Sequence, residues 1–225
     1  MPRIFALLLS LIVFIIGVSV VIVQILRFLG ISRMSRSRRE KERRILLEAL
    51  SSQIPDLAPW KKDEIDLLSS KVEFSSKRDF FSKNVEGYIQ TIYGEKVIPF
   101  AAKVFSTRQF ICVLVTDKHN FTLMGLGNLT EVMIDNHKLG AIQNGTLIQN
   151  GKPLATIENR SGMYHPLMVG GVDLAHLRAD RSVENDLVTH RLMEMVSEDL
   201  ITGDTLPYLT GILCYDLINR VISKI

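Results

Sequence analysis

The chain has 225 residues, of which 47% are hydrophobic, a net charge of +3 and two cysteines. Residues 45–225 are enough for one domain with a sizeable core. Cys112 and Cys214 lie in apolar contexts without the spacing of a zinc site, which argues against a cysteine-based metal centre and predicts buried, inert thiols in a reducing compartment.

An uncharged apolar stretch of 23 residues, 4–26, stands near the start of the chain. A helix of that length extends about 34 Å, and the hydrocarbon core of a bilayer is about 30 Å thick. A cleaved signal peptide would have a shorter apolar run of about 7–15 residues, with positive charge before it rather than after it. The sequence therefore predicts an uncleaved, single-pass transmembrane anchor within residues 1–29.

A basic stretch follows the apolar one, and residues 27–44 hold eight basic and two acidic side chains. Juxtamembrane Lys and Arg stay on the cytoplasmic side, so we expect the N-terminus outside and residues 27–225 in the cytoplasm. The stretch is interpreted either as a topology signal alone or also as a contact with anionic phospholipid head groups. Its basic residues are Arg27, Arg33, Arg36, Arg38, Arg39, Lys41, Arg43 and Arg44.

The remainder of the chain is mildly acidic. Because the basic stretch contributes +6 and Arg3 +1 to the total of +3, all other residues together carry −4. A domain of that charge is not expected to bind nucleic acid.

Residues 30–44 are predicted to be a basic linker and residues 45–71 a helical lead-in. One helix is expected over 38–51, ended by the sequence Ile54-Pro55, because a residue before proline avoids helical backbone angles. A second helix is expected over 59–69, because Pro59 suits a first helical turn.

From residue 72 the sequence favours strands, with β-branched and aromatic residues in VEFSS, EGYIQTIY, KVIPFAAKVF and RQFICVLVT. The last of these is apolar on both alternating faces, so we expect it to be covered on both sides. Asparagines recur every eight residues at 120, 128, 136 and 144, and Asn-Gly or Gly-Gly pairs typical of tight hairpins stand at 144–145, 150–151 and 170–171. This spacing predicts an antiparallel meander, sandwich or barrel, with strands near 131–135, 138–143, 146–149, 153–158, 163–169 and 172–177.

Two helices are predicted to end the β-domain, which is assigned to residues 72–225. Val188, Leu192, Met195 and Val196 have helical spacing within 183–200. In the last helix, 205–223, the run from Leu206 to Tyr215 has no charge. A helix that is apolar all round is buried, so its first half should enter the β-structure and its second half should emerge, with Asp216 spaced to pair with Arg220.

Two stretches, VMIDNHKLGAIQNGTLIQNGKPLATI and LPYLTGILCYDLINRVI, carry a family resemblance. An antiparallel meander followed by an apolar terminal helix resembles the tubby C-terminal-like superfamily, which includes phospholipid scramblase-like and LURP-one-related proteins. The resemblance covers residues 86–225 and implies a barrel plugged by its last helix. It also implies lipid handling, which needs an accessible apolar groove. The chain departs from the family in its N-terminal anchor, its helix at 183–200 and its lack of a cysteine-rich palmitoylation patch, and no phosphoinositide or calcium site can be mapped onto it.

The sequence contains no catalytic or phosphate-binding motif, so no catalytic residue, metal or cofactor is predicted. His165, His176 and Asp173 on neighbouring predicted strands are read either as a metal or acid–base site or as ordinary strand residues. Four N-x-S/T sequons, at Asn120, Asn128, Asn144 and Asn159, are explained by turn chemistry if the domain is cytoplasmic.

Three functions remain open from the sequence. The first is a non-enzymatic, membrane-anchored binding or assembly module, such as an accessory subunit bound to a membrane protein. The second is a lipid-binding or lipid-translocating protein of tubby or scramblase-like type. The third is a membrane-associated enzyme with an unrecognised site.

Overall fold

The computed structural model describes residues 12–24, 36–57, 62–159, 162–179 and 190–225, which fall into two compact units, Met1–Arg39 and Glu40–Ile225. In the first unit, residues 12–24 form a helix, α1, with mostly exposed side chains. The rest of the predicted anchor lies outside the described residues. Among the residues that are described, no helix is both long and apolar enough to cross a membrane.

The second unit is built on one antiparallel sheet of twelve strands, in which every strand pairs with the next one along the chain. The strands are β1 (Leu68–Arg78), β2 (Lys83–Thr91), β3 (Lys96–Ser106), β4 (Gln109–Val115), β5 (Asn120–Leu126), β6 (Leu129–Ile134), β7 (His137–Gln143), β8 (Thr146–Gln149), β9 (Lys152–Ile157), β10 (Tyr164–Val169), β11 (Val172–Arg178) and β12 (Met193–Glu194).

The sheet curls into a nearly closed barrel, because the chain just before β12 returns to β1. Ser69 forms a bridge with Arg191, and the Leu192 N–H donates to the Leu68 carbonyl at 2.7 Å. The Arg191 guanidinium also lies 2.6 Å from a carboxylate oxygen of Asp66. This seam gives the first strand a partner on its second side, as barrel closure requires.

The C-terminal helix, α3 (Leu206–Lys224), occupies the barrel interior, where it packs against β1 and β9. Six consecutive residues, from Leu209 to Cys214, are buried, so this part of the helix is enclosed on every side. Gly211 faces β6 and β7, and a β-carbon there would lie 3.2 Å from a methyl group of Leu139. The prediction that the uncharged half of this helix enters the β-structure is confirmed.

The second half of α3 emerges less than the sequence predicts. Its polar stripe reaches the surface and includes the predicted ion pair, with 2.5 Å between Arg220 Nη2 and Asp216 Oδ2. The opposite stripe stays in the core, because its apolar side chains complete the barrel packing; it consists of Leu217, Ile218, Val221 and Ile222.

The helix α2 (Arg36–Ser51) covers part of the outer face of the barrel. Its Leu46 and Leu50 are buried, and Glu42 pairs with Lys103 of β3 at 2.9 Å. All residues of β4 from Phe110 to Val115 are buried, although only alternate ones belong to the internal core. The predicted helix at 38–51 and the predicted two-sided burial of β4 are both confirmed.

Two predicted helices are wrong where the structure describes them. Lys62–Leu67 is a short 3-10 helix, and residues 68 and 69 already belong to β1, because they pair in the barrel seam. Pro59 lies outside the described residues. Within 183–200, the part that the structure describes, from residue 190, is not an α-helix: it forms the seam, β12 and a 3-10 helix over Glu198–Leu200.

The predicted strands after residue 72 all occur, and β5 and β12 are two additional strands that the sequence did not predict. The predicted hairpins occur as well. Asn144-Gly145 has φ of 51° and 76°, and Asn150-Gly151 has 50° and 78°, as turns that match the strand twist require. Asn120, however, lies in β5 rather than in a turn.

Replacing Ile212 with alanine tests the burial of α3. Ile212 is fully buried, so we expect Ile212→Ala to lower the free energy of unfolding by about 2–5 kcal/mol in urea titrations of the full chain. Asn219→Ala, on the exposed stripe of the same helix, should change it by at most about 0.7 kcal/mol through helix propensity. Equal stabilities of the two variants would contradict the enclosed helix.

Candidate functional site

The barrel interior is filled by α3 and is not an open cavity that a ligand could enter. The side chains of Leu209, Ile212, Leu213 and Cys214 are each no more than 1% exposed and belong to the same continuous core as the inward-facing strand residues. The accessible apolar groove that the family resemblance implies would have to occupy the space that this helix fills. We therefore expect any functional surface to lie on the outside or at the ends of the barrel.

The basic residues predicted to contact lipid have different surroundings. Arg36, Arg38, Lys41 and Arg44 are exposed on α2, whereas Arg39 is half-buried. Arg27 and Arg33 lie outside the described residues. Four cations along one helix therefore remain accessible to an anionic surface.

Arg43 is only 7% exposed and serves the fold instead. Its guanidinium pairs with Glu40 at 2.5 Å and donates to the side-chain oxygen of Asn136 in the β6–β7 turn. Together with the Glu42–Lys103 pair, this contact fixes α2 to the barrel. Arg43 is therefore too buried to contact a lipid head group.

Of the two readings of His165 and His176, the structure favours ordinary strand residues. His165 pairs with Leu177, whereas His176 pairs with Pro166, so the two imidazoles occupy alternate positions and point to opposite faces of the sheet. His176 Nε2 lies 3.5 Å from Asp173 Oδ2, a contact between two residues of the same strand, β11. Within the described ranges, no group of three or more His, Cys, Asp or Glu side chains is placed to hold a metal ion.

A different histidine, His119, does contact a carboxylate. His119 Nδ1 is 2.6 Å from Asp135 Oδ2, and the backbone N–H of Asn120 donates to the other oxygen at 2.9 Å. Burial raises the pKa of Asp135, but these two hydrogen bonds outweigh it and hold the pKa below its ordinary value. The pair joins the β4–β5 and β6–β7 turns, and both side chains are nearly half-exposed, which is typical of a structural contact.

A cleft of about 320 Å³ lies on the outer face of β1–β3, beside the segment that follows α2. Two of its lining residues, Tyr88 and Lys96, have contacts on this face. The Tyr88 hydroxyl donates to Glu73 at 2.7 Å, Gln90 donates to the same carboxylate at 3.3 Å, and Lys96 Nζ lies 4.3 Å from the centre of the Tyr88 ring. The hydrogen bond to Glu73 raises the pKa of Tyr88, so its hydroxyl is a poor base at neutral pH.

The hairpin tip between β1 and β2 is a surface that the sequence analysis did not single out. Phe80 is 75% exposed and Phe81 48%, and the two rings meet edge to face with centroids 4.5 Å apart. Lys77 and Arg78 precede them and Lys83 follows. In the sequence these phenylalanines stand between two predicted strands, and the register of β1 with β2 places them in an exposed turn.

Comparison of the chain with protein-family models, with curated proteins and with solved structures gave no match.

The contact between Asp135 and His119 predicts that the stability of the fold depends on pH. A carboxylate whose folded pKa is lowered stabilises the fold above its ordinary pKa of 3.8, and this contribution is lost as the pH falls through the folded value. Asp135→Asn keeps a residue that tolerates the φ of 46° at this position. We expect it to reduce the free energy of unfolding at pH 7 and to lose this effect as the pH falls through the lowered folded pKa of Asp135.

The control is Asp117→Asn, which makes the same change at an exposed residue of the neighbouring β4–β5 turn. Urea titrations of both variants over a pH series from 7 to well below the ordinary pKa of 3.8 should show a pH-dependent loss for Asp135 alone. An equal loss at every pH of the series would mean that the carboxylate charge has no stabilising role.

Proposed function

We propose that this protein is a non-enzymatic binding or assembly module held at a membrane by its N-terminal apolar stretch, with residues 27–225 in the cytoplasm. The single observation that carries the proposal is the barrel filled by its own helix, because it leaves the exterior as the surface for recognition. Tethering at a membrane raises the effective concentration of a membrane-bound partner, so a modest outer surface is sufficient.

The arrangement of the polar side chains supports a module without enzymatic activity. Glu73 is engaged by Tyr88 and Gln90, Arg43 by Glu40, and Asp135 by His119. These pairs join neighbouring strands, turns and α2, as structural contacts do, and they do not converge on a shared space where a substrate atom could sit.

Lipid binding of tubby or scramblase-like type is the second candidate. It is supported by the combination of a twelve-stranded antiparallel barrel and an enclosed terminal helix, which agrees with the architecture that the resemblance implies. With α3 in the interior, such a protein would recognise the head group on the outside of the barrel rather than hold an acyl chain within it.

Purification of the full chain in mild detergent, followed by size exclusion, separates these functions. A version with residues 1–29 replaced by an unrelated anchor is compared with residues 1–44 fused to an unrelated soluble domain. We expect a stoichiometric protein partner with the first version and none with the second, because recognition belongs to the barrel. Mass spectrometry identifies the partner and any co-purifying lipid.

Three outcomes would contradict the proposal. A partner retained only by the fusion would place recognition in the membrane stretch. Bound phospholipid without any protein partner would favour the lipid-binding candidate. Glycan on any of the sequons at Asn120, Asn128, Asn144 or Asn159, detected as a mass loss after endoglycosidase treatment, would overturn the cytoplasmic placement.

A further inference from the structure

We propose that the β1–β2 hairpin tip, defined as residues 77–83, inserts Phe80 and Phe81 into the head-group region of an anionic phospholipid bilayer. This contact would be separate from the N-terminal stretch and from α2. It rests on the proposed function only in that tethering would make a weak contact effective.

The tip projects from the barrel as a well-defined turn. The last four residues of β1, from Ser75 to Arg78, are exposed on both faces, whereas the first two are buried. The Asp79 N–H donates to the Ser82 carbonyl at 2.8 Å, and the Phe80 N–H donates to the Asp79 carboxylate at 2.9 Å. These bonds hold the turn closed, so both rings are presented outward before any ligand arrives.

Cations surround the two aromatic rings. Arg78 lies directly opposite Lys83 across the hairpin, next to Lys77, and Asp79 is the one acidic residue in 77–83. Like charges directly opposite each other destabilise a strand pair, so the fold gains nothing from this arrangement. Negative charge brought close to the tip would relieve the repulsion.

Neighbouring turns at the same end of the barrel extend this surface. The β3–β4 turn exposes Arg108, and β5 ends in Leu126, which is 42% exposed. The two turns are joined by a hydrogen bond of 2.9 Å from the Gly127 N–H to the Arg108 carbonyl. They add a fourth cation and a third apolar side chain to the end that carries the tip.

A bilayer fits this surface better than a protein does. Aromatic side chains next to basic ones match the interface between acyl chains and anionic head groups. A stable protein interface buries about 800 Å² on each partner, with a packed apolar centre, whereas two phenylalanines on a narrow turn provide much less area. An anionic membrane is therefore the occupant that the charge and the shape favour.

The test places a fluorescent probe at the tip of the full chain. Cys112 and Cys214 are buried, so a cysteine introduced as Phe80→Cys can be labelled selectively with an environment-sensitive dye. The protein is reconstituted into nanodiscs of phosphatidylcholine alone or with phosphatidylserine. The matched control is Tyr93→Cys, at a residue that is 72% exposed in the β2–β3 turn at the opposite end of the barrel.

With phosphatidylserine present, we expect the emission at position 80 to move to shorter wavelength. Nitroxides attached near the head of the acyl chain should quench it. The shift should be lost when Lys77, Arg78 and Lys83 are all changed to glutamate, and reduced in high salt, because screening weakens the attraction. The probe at position 93 should not respond to the lipid composition.

Equal emission from the two positions, or emission at position 80 that ignores phosphatidylserine, would overturn the proposal. So would a shift that needs an added protein, since the tip would then be a protein contact. Failure of the N-terminal tether is a separate result, because the chain would then not co-purify with the discs, and added vesicles of the same lipids would still test the tip.

Discussion

The packing of α3 inside the barrel is the constraint on which the other elements depend. A helix satisfies its own backbone hydrogen bonds, so it can lie in an apolar interior where an irregular segment could not. The buried Thr210 hydroxyl also has a hydrogen-bond partner within the helix, because it donates to the Leu206 carbonyl at 2.9 Å. Burial of one aliphatic side chain contributes about 1.5–3 kcal/mol to the free energy of unfolding. Because that free energy is small in total, the buried run from Leu209 to Cys214 contributes a large part of it.

The enclosed helix also determines where recognition can take place. Because the interior is full, the barrel resembles a closed scaffold whose outer face and ends remain available. The helix α2 takes part of the outer face through the Glu42–Lys103 pair and Arg43. Over the part of the chain that the structure describes, the exposed cations of α2 and the aromatic hairpin tip are two such outer surfaces.

Local sequence signals predicted most of the barrel. Alternating or continuous apolar runs marked ten of the twelve strands, Asn144-Gly145 and Asn150-Gly151 marked two of its turns, and the uncharged run in α3 predicted its burial. β5 was not predicted, because Gly125 weakens its local strand signal. Gly125 is needed there because the ring of Phe110, on the neighbouring strand, lies where a β-carbon would be. The segment around Leu192 has helical spacing, yet it pairs with β1, which is far away in the sequence. Local spacing cannot show such a long-range pairing.

The candidate surfaces were less predictable than the fold, because exposure depends on register. Arg43 was counted among the lipid contacts, and only its packing against Asn136 shows that it is buried. Phe80 and Phe81 lie between two predicted strands, and their exposure follows only from the turn of the β1–β2 hairpin. His165 and His176 were close in sequence pattern, but the pairing of β10 with β11 puts them on opposite faces.

Thiol reactivity tests the enclosed helix most directly. Cys214 lies in the buried run of α3 and Cys112 in the inward face of β4, and burial raises the pKa of both thiols, that of Cys214 to about 12. We predict that neither thiol reacts with a maleimide in the native full chain and that both become reactive together at the urea concentration of global unfolding. Reaction of Cys214 under native conditions, or well before unfolding of the barrel, would contradict the enclosed helix.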